Sequence, residues 1–122
     1  MQPLALVYYE RLMPGSQLVN RLQDAGYHVI TLNKADLLAP SAQSEMPMIL
    51  FAELTADKAV LAAVEKIKAN PATSHIPIIA YAPDNAPRAL APVQKAGANL
   101  VVSDSALLNH LPQFIEQALH ID

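Results

Sequence analysis

Five short apolar runs, each followed by a stretch with helical character, limit what this chain can fold into more than any other feature. The runs cover residues 4–10, 28–32, 47–52, 76–82 and 99–102, and they show almost no alternation of polar and apolar residues. A strand that is apolar along its whole length is typical of a parallel sheet whose two faces are both covered. The strict alternation of strands and helices therefore predicts an α/β fold with one parallel sheet between two layers of helices.

Local signals predict where the first three helices begin and end. Ser16 is expected to cap the first helix, because its hydroxyl can accept a bond from an unpaired backbone N–H, and Gly26 is expected to end it. Pro40 disfavours continuation of the second helix, so residues 40–46 are predicted to form a loop. Thr55 is expected to cap the third helix.

Proline also affects the last two helical segments. Pro92 lies inside the segment that ends at Gly97, so this fourth helix is expected to be short, kinked or late in starting. Asn109 is expected to cap a final helix, with Pro112 in its first turn, where a missing N–H costs little.

Two side chains serve as tests of the predicted core. Ile79 lies in the middle of the fourth apolar run, so we expect it to be buried within the sheet. The third helix carries an apolar stripe at helical spacing, formed by Val60, Leu61, Val64 and Ile67. Leu61 and Ile79 are therefore both expected to be core residues, whose truncation to alanine would destabilise the fold substantially.

Composition excludes several classes of protein. The chain has 122 residues, of which 52% are hydrophobic and 16% charged, with a net charge of −3 and no cysteine. This argues against disorder and nucleic-acid binding, and it excludes disulfides and thiol chemistry. The sequence shows neither a signal peptide nor an apolar stretch long enough to span a membrane. We therefore expect a single cytoplasmic domain over residues 1–122.

Three motifs, in their order and spacing, resemble the receiver domain of bacterial response regulators. They are GYHV at residues 26–29, NPATSHIPIIAYA at 70–82 and KAGANLVV at 95–102. The resemblance extends from about Leu4 to Leu119. It implies a flavodoxin-like (CheY-like) three-layer sandwich, with a five-stranded parallel sheet of order 2-1-3-4-5 and five helices.

The resemblance also implies where a phosphorylation site would lie. In a working receiver, two acids after the first strand hold Mg²⁺ together with a phosphoacceptor aspartate at the end of the third strand. A threonine or serine after the fourth strand and a lysine after the fifth bind the phosphoryl group. Mg²⁺ needs hard oxygen ligands, and a transferred phosphoryl group needs cationic stabilisation of its oxygens, which explains these residue types.

This sequence departs from that set at nearly every position. Two tyrosines replace the acid pair, with one glutamate just after them. A glutamate replaces the phosphoacceptor, an alanine replaces the hydroxyl residue, and an aspartate lies at or within one residue of the lysine position. The degenerate positions are Tyr8, Tyr9, Glu10, Glu53, Ala82 and Asp104. They predict that the usual phosphoryl transfer is lost and that no metal or cofactor is bound.

The replaced residues allow more than one interpretation. Glu53 is either a phosphomimetic or a partly exposed acid satisfied by backbone amides, Arg11 or Lys58, and the second interpretation is favoured. Tyr8 and Tyr9 either form an aromatic floor for a ligand or fill the space of a lost metal site, and the second interpretation is favoured. Since parallel strands end at one edge of the sheet, the carboxylates of Glu53 and Asp104 are expected to lie close together. Arg11 or Lys58 could supply the cation that offsets their repulsion.

The resemblance favours a non-enzymatic signalling domain that acts through protein contacts in a two-component-like system. A protein partner or a second copy would bind the face formed by the predicted fourth helix, fifth strand and fifth helix, with no role for nucleic acid or membrane. One alternative is a sensor that binds a small ligand near Tyr9, Glu53 and Asp104, at the carboxyl edge of the sheet. Another is an atypical receiver that is still phosphorylated on Glu53.

Overall fold

A parallel sheet of five strands forms the centre of the molecule. The computed structural model describes residues 3–54, 59–82 and 97–119. The strands are β1 (Leu4–Tyr8), β2 (His28–Leu32), β3 (Ile49–Glu53), β4 (Ile78–Ala82) and β5 (Leu100–Ser103). All neighbouring strands are parallel, in the order β2-β1-β3-β4-β5. The predicted fold class and strand order are therefore confirmed.

Helices cover both faces of the sheet. They are α1 (Leu12–Asp24), a 3₁₀ turn (Ala35–Leu37) that leads into α2 (Leu38–Glu45), α3 (Ala59–Ala69), α4 (Asp104–Asn109) and α5 (Leu111–Leu119). Helices α1, α4 and α5 contribute to one apolar cluster, and α2 and α3 contribute to the other. No helix among the described residues is both long and apolar enough to cross a membrane.

Burial explains the apolar runs of the sequence. Every residue of β3 and β4 is buried, because both strands lie inside the sheet and helices cover both of its faces. Successive side chains of β1 enter opposite clusters: Leu6 packs with α2 and α3, whereas Ala5 and Val7 pack with α1, α4 and α5. Strand β2 lies at the edge and is only partly buried.

Two predicted helix boundaries are wrong. Helix α1 begins at Leu12, because Arg11 already has the extended conformation of an N-cap, so Ser16 lies inside the helix and does not cap it. Helix α2 continues through Pro40 to Glu45. Pro40 is its third residue, where an N–H would have no partner inside the helix, so the proline costs little there. The loop predicted at residues 40–46 is therefore mostly helical.

The other boundary predictions have mixed outcomes. Gly26 follows α1 with a φ of +96°, as expected for a residue that ends a helix. Pro112 lies in the first turn of α5, but Asn109 is the last residue of α4 and does not cap α5. The prediction for Thr55 and the predicted fourth helix, with Pro92, fall outside the described residues.

Candidate functional site

The carboxyl edge of the sheet brings the predicted site positions together. Tyr8, Glu53 and Ala82 are the last residues of β1, β3 and β4, and Asp104 is the first residue after β5. Ala52 pairs with Tyr8, and its neighbour Glu53 pairs with Tyr81 of β4. Edges of this kind are where open α/β sheets usually hold ligands or catalytic groups.

Arg11 connects the two acidic positions. Its Nε donates to Glu53 Oε1 over 3.0 Å, and its Nη2 donates to Asp104 Oδ2 over 2.9 Å. The backbone N–H of Arg11 also points at Glu53 Oε1, at 3.4 Å. One guanidinium therefore joins the loop after β1, the end of β3 and the start of α4. We call these three side chains the Arg11 cluster.

The cluster is unevenly buried. The side chain of Glu53 is 0% exposed, that of Asp104 is 16% exposed and that of Arg11 is 40% exposed. The expectation of a partly exposed Glu53 is therefore wrong, although Arg11 was one of the partners considered for it. A fully buried carboxylate needs a cation or several donors, because its charge has lost the stabilisation of water.

Each carboxylate keeps one oxygen without a partner among the described residues. Glu53 Oε2 and Asp104 Oδ1 are buried and accept no hydrogen bond there. The cluster thus contains two carboxylates and one guanidinium. The receiver pattern has acids after β1 and a lysine after β5. Here the cation, Arg11, follows β1 and an acid, Asp104, follows β5. The positive and negative charges have therefore changed places.

The environment keeps Arg11 charged. Burial alone would lower the pKa of the guanidinium. The hydrogen bonds to Glu53 and Asp104, together with the negative charges of both carboxylates, outweigh that effect and raise the pKa above its ordinary value. Arg11 therefore remains a cation over the whole experimental pH range, and its flat fork suits two carboxylates better than a lysine would.

The two tyrosines do not form a common aromatic floor. Tyr8 is buried in the cluster beneath α2 and α3, and its hydroxyl donates to Glu10 Oε2 over 2.6 Å. Tyr9 packs with the opposite cluster. A Cβ atom at Gly15 would lie 2.2 Å from Cδ2 of the Tyr9 ring, so only glycine permits this approach. The interpretation as a shared floor is wrong, because successive side chains point to opposite faces.

The ends of β4 and β5 offer no hydroxyl that is placed to bind a phosphoryl group. Ala82 is 1% exposed and ends β4 with only a methyl group. Ser103 is the nearest hydroxyl on β5, but its Oγ accepts the backbone N–H of Ala106 over 3.3 Å and so caps α4. This side chain has a structural use at the start of the helix.

The donor set does not fit the magnesium ion that the resemblance implies. Glu53 and Asp104 each give one oxygen to Arg11, whose positive charge would repel a second cation. Glu10 accepts a hydrogen bond from the hydroxyl of Tyr8 through Oε2, so this oxygen is already engaged. Across the described parts of the chain, no group of three or more acidic or histidine side chains is placed to hold a metal ion.

Tyr81 is a buried residue of this region that the sequence analysis did not identify. Its side chain is 0% exposed, and its hydroxyl donates to the backbone oxygen of Tyr8 over 3.2 Å. Burial raises the pKa of this hydroxyl, and the negative charges of Glu53 and Asp104 raise it further. The phenol therefore stays neutral and holds β4 to the end of β1, beneath the Arg11 cluster.

The raised pKa of Tyr81 predicts a loss of stability at alkaline pH. Above about pH 10 this tyrosine ionises in the unfolded chain but not in the folded one, so the free energy of unfolding falls by up to about 1.4 kcal/mol per pH unit. Tyr81→Phe should cost about 1 kcal/mol at neutral pH, through the lost hydrogen bond. It should also flatten the decline above pH 10. Urea unfolding from neutral to alkaline pH measures both effects.

Tyr27→Phe is the matched control. Burial raises the pKa of this tyrosine too, but its ring is only partly buried, so its removal should flatten the alkaline decline less. An unchanged alkaline slope in Tyr81→Phe would contradict the role given to Tyr81.

Arg11 is the main feature that sequence reasoning placed incompletely. The sequence offers either Arg11 or Lys58 as the cation near Glu53 and Asp104, and the structure shows Arg11 bound to both carboxylates. Arg11 is the first basic residue after β1, and it lies between Glu10 and α1. A cation in the loop after the first strand, combined with acids after the third and fifth strands, is the pattern that would have revealed the bridge.

A polar cavity of ≈ 480 Å³ adjoins the site on its β2 side. It is lined by Tyr9, Glu10, Thr31, Leu32 and Asn33. Of the three residues predicted for a small-ligand site, only Tyr9 lines it. Glu53 and Asp104 belong to the Arg11 cluster and do not line this cavity.

Comparison with known proteins gives matches in structure only. No protein-family model and no curated protein matches the sequence. The receiver domain of NtrX from Brucella abortus has a TM-score of 0.83 at 17% identity, over 97% of this chain and 99% of that one. The receiver domain of the sensor histidine kinase PA1611 from Pseudomonas aeruginosa, with magnesium in its active-site cleft, also has a TM-score of 0.83 at 17% identity, over 99% and 100% of the two chains.

Two further solved structures give the same result. The signal receiver domain of a modulated diguanylate cyclase from Desulfovibrio desulfuricans has a TM-score of 0.79 at 16% identity, over 98% of this chain and 95% of that one. NtrX in complex with ADP matches 98% of this chain, which spans only 26% of that protein. This chain therefore has the fold of the response-regulator receiver domains.

Proposed function

We propose that this chain is a receiver-like signalling domain that does not accept a phosphoryl group and acts by contact with other proteins. It would serve a two-component-like system in the cytoplasm and catalyse no reaction of its own. The observation that carries the proposal is the position of Arg11. Its guanidinium lies between the two carboxylates of the site, which leaves the buried acid paired with an internal cation.

Charge supports this proposal over phosphoryl transfer to Glu53. The attacking oxygen would have to come from a carboxylate that is 0% exposed and already bound through Oε1 to Arg11. The incoming group carries negative charge, and Asp104 adds another negative charge at the place where the receiver pattern requires a lysine. Transfer needs positive charge around the phosphoryl oxygens, and Arg11 is already engaged with both acids.

We expect no stable phosphoryl adduct after treatment with acetyl phosphate and Mg²⁺. Arg11 binds one oxygen of each carboxylate, and the hydroxyl of a working receiver is replaced by the methyl group of Ala82. Intact-mass analysis measures the outcome, with a phosphorylatable receiver treated in parallel as the positive control. Glu53→Gln is the matched variant. An adduct that forms on the parent chain and disappears in Glu53→Gln would show that Glu53 is an active phosphoacceptor and would refute the proposal.

A small-ligand sensor is the second candidate, and the polar cavity beside β2 is the observation that favours it. The cavity offers the hydroxyl of Tyr9, the carboxylate of Glu10, the hydroxyl of Thr31 and the amide of Asn33. Such a set would recognise a polar molecule with several hydrogen-bonding groups. Thermal melting against a panel of sugars, nucleosides and amino acids tests this candidate, with Asn33→Ala as the variant that should abolish any shift.

A further inference from the structure

Strand β2 forms one edge of the sheet, and its outer side faces no further strand among the described residues. The backbone N–H of His28 donates to the residue before β1, and the backbone oxygen of Leu32 accepts from the residue after β1. Because the bonding groups of a strand alternate in direction, the N–H and C=O groups of Val29 and Thr31 point away from β1. We call the outer side of His28–Leu32 the β2 edge.

The β2 edge lacks the features by which edge strands usually prevent pairing with another chain. Its sequence, HVITL, contains no lysine, arginine, acid or proline, and its unbroken register with β1 shows no bulge. Val29 is only partly buried on the face covered by α1, and Ile30 and Leu32 are only partly buried on the opposite face. Unpaired backbone groups and apolar side chains therefore meet at this rim, and such an edge is a template for another strand.

Antiparallel pairing of β2 with its own copy, about a two-fold axis, is self-complementary. The register that overlaps all five residues places Ile30 opposite the same residue of the second copy, with Val29 opposite Thr31 on either side. Each outward N–H group of one chain then meets an outward C=O group of the other. His28 faces Leu32 at both ends, so no like charges are opposed. This register therefore pairs every outward backbone group of the strand.

We propose that this protein forms a homodimer through the β2 edge, which joins two five-stranded sheets into one continuous sheet. A second copy is favoured over an extended segment of another protein, because β2 is already held in its conformation by β1, whereas a free segment would lose conformational freedom on binding. The strand contact is short, at five residues per chain, so the dimer should dissociate on dilution. The inference goes beyond the proposed function, because it does not depend on the Arg11 cluster.

Single cysteines test the register, because the chain has no cysteine of its own. In the proposed dimer the two copies of residue 30 have Cα atoms about 4.5 Å apart, within reach of a disulfide. The two copies of residue 31 would be about 8.5 Å apart, which is too far. We expect Ile30→Cys to give a disulfide-linked dimer under mild oxidation and Thr31→Cys to remain mostly monomeric. Random collisions would give the opposite order, because Thr31 is exposed and Ile30 is partly buried.

A proline at position 31 tests the backbone pairing. The N–H of Thr31 points outward, so Thr31→Pro removes bonds to the second copy without removing a bond to β1. Thr31→Ala keeps that N–H and is the matched control. Sedimentation equilibrium from micromolar to millimolar concentration measures dimerisation of the parent and both variants. We expect Thr31→Pro to raise the dissociation constant at least about tenfold, and Thr31→Ala to change it less than about threefold. Circular dichroism melting confirms that each variant is folded.

Three results would overturn the inference. They are a parent chain that stays monomeric up to millimolar concentration, equal dimerisation of Thr31→Pro and Thr31→Ala, and linkage of Thr31→Cys that equals or exceeds that of Ile30→Cys. If Thr31→Pro does not fold, the two cysteine variants still decide, because both keep the backbone N–H groups. A phosphoryl adduct on Glu53 would refute the proposed function separately and leave the dimer result standing.

Discussion

Arg11→Met is expected to lower the free energy of unfolding by roughly 3 kcal/mol at neutral pH, the lower end of the range for breaking a buried ion pair. Methionine keeps most of the apolar stem but removes the cation. Glu53, which is 0% exposed, would then keep its backbone contact to residue 11 but lose its only charged partner among the described residues. The lower end applies because the Arg11 side chain is 40% exposed, so water screens part of its interaction.

A double-mutant cycle separates the charge of Glu53 from the rest of the site. Urea unfolding of the parent chain, Arg11→Met, Glu53→Gln and the double variant gives the coupling energy between the two side chains. Glu53→Gln removes the buried charge, so Arg11→Met should cost much less in that background. Equal costs in both backgrounds would show that Arg11 acts through packing alone and that the ion pair contributes nothing.

Asp104→Lys is a further test, because the sign of its effect on stability depends on whether Arg11 is present. Without a cation between Glu53 and Asp104, a lysine after β5 would restore the receiver charge pattern and stabilise the fold. With Arg11 at 2.9 Å from Asp104, the new ammonium would instead lie beside a guanidinium. We therefore expect Asp104→Lys to destabilise the parent chain but to recover part of the loss in the Arg11→Met chain, where the lysine can take over as the partner of Glu53.

Most of the fold could be predicted from the sequence, because the fold buries the apolar residues by which the strands are recognised. Strands β3 and β4 are buried throughout, which leaves no room for alternation, and the glycine after α1 has a φ of +96°. Helix boundaries were harder to predict because several prolines and capping residues suit more than one position. Pro40 disfavours continuation of α2 in the sequence, but its missing N–H is harmless in the first turn of the helix.

The site was less predictable because it depends on contacts between residues far apart in the chain. Alignment with the receiver pattern placed Glu53 and Asp104 at one edge of the sheet, but only the structure shows one guanidinium reaching both. The burial of Glu53 was also unpredictable, since a glutamate at the end of a strand usually reaches solvent. Arg11 lies 42 residues before Glu53 and 93 before Asp104. No pattern of neighbouring residues in the sequence predicts a contact over such separations.

The last large effect on stability is expected in the core. The sequence predicts that Ile79 and Leu61 are both buried, but the structure buries only Ile79 completely. Ile79 is 0% exposed in β4 and lies between Phe51 of β3 and Leu100 of β5. Leu61 is only partly buried on α3 and packs at the margin of its cluster. Truncation to alanine costs the lost burial plus the cavity that remains, and a partly exposed site leaves little cavity.

Ile79→Ala should therefore lower the free energy of unfolding by about 3–4 kcal/mol, within the range known for fully buried isoleucines. Leu61→Ala should cost only about 1 kcal/mol, because part of its side chain already contacts water. Urea unfolding with an unchanged m-value measures both losses. If Leu61→Ala proved as costly as Ile79→Ala, helix α3 would have to be rotated so that Leu61 faces the sheet. The stripe of Val60, Val64 and Ile67 that now covers β3 and β4 would then no longer be the buried face of that helix.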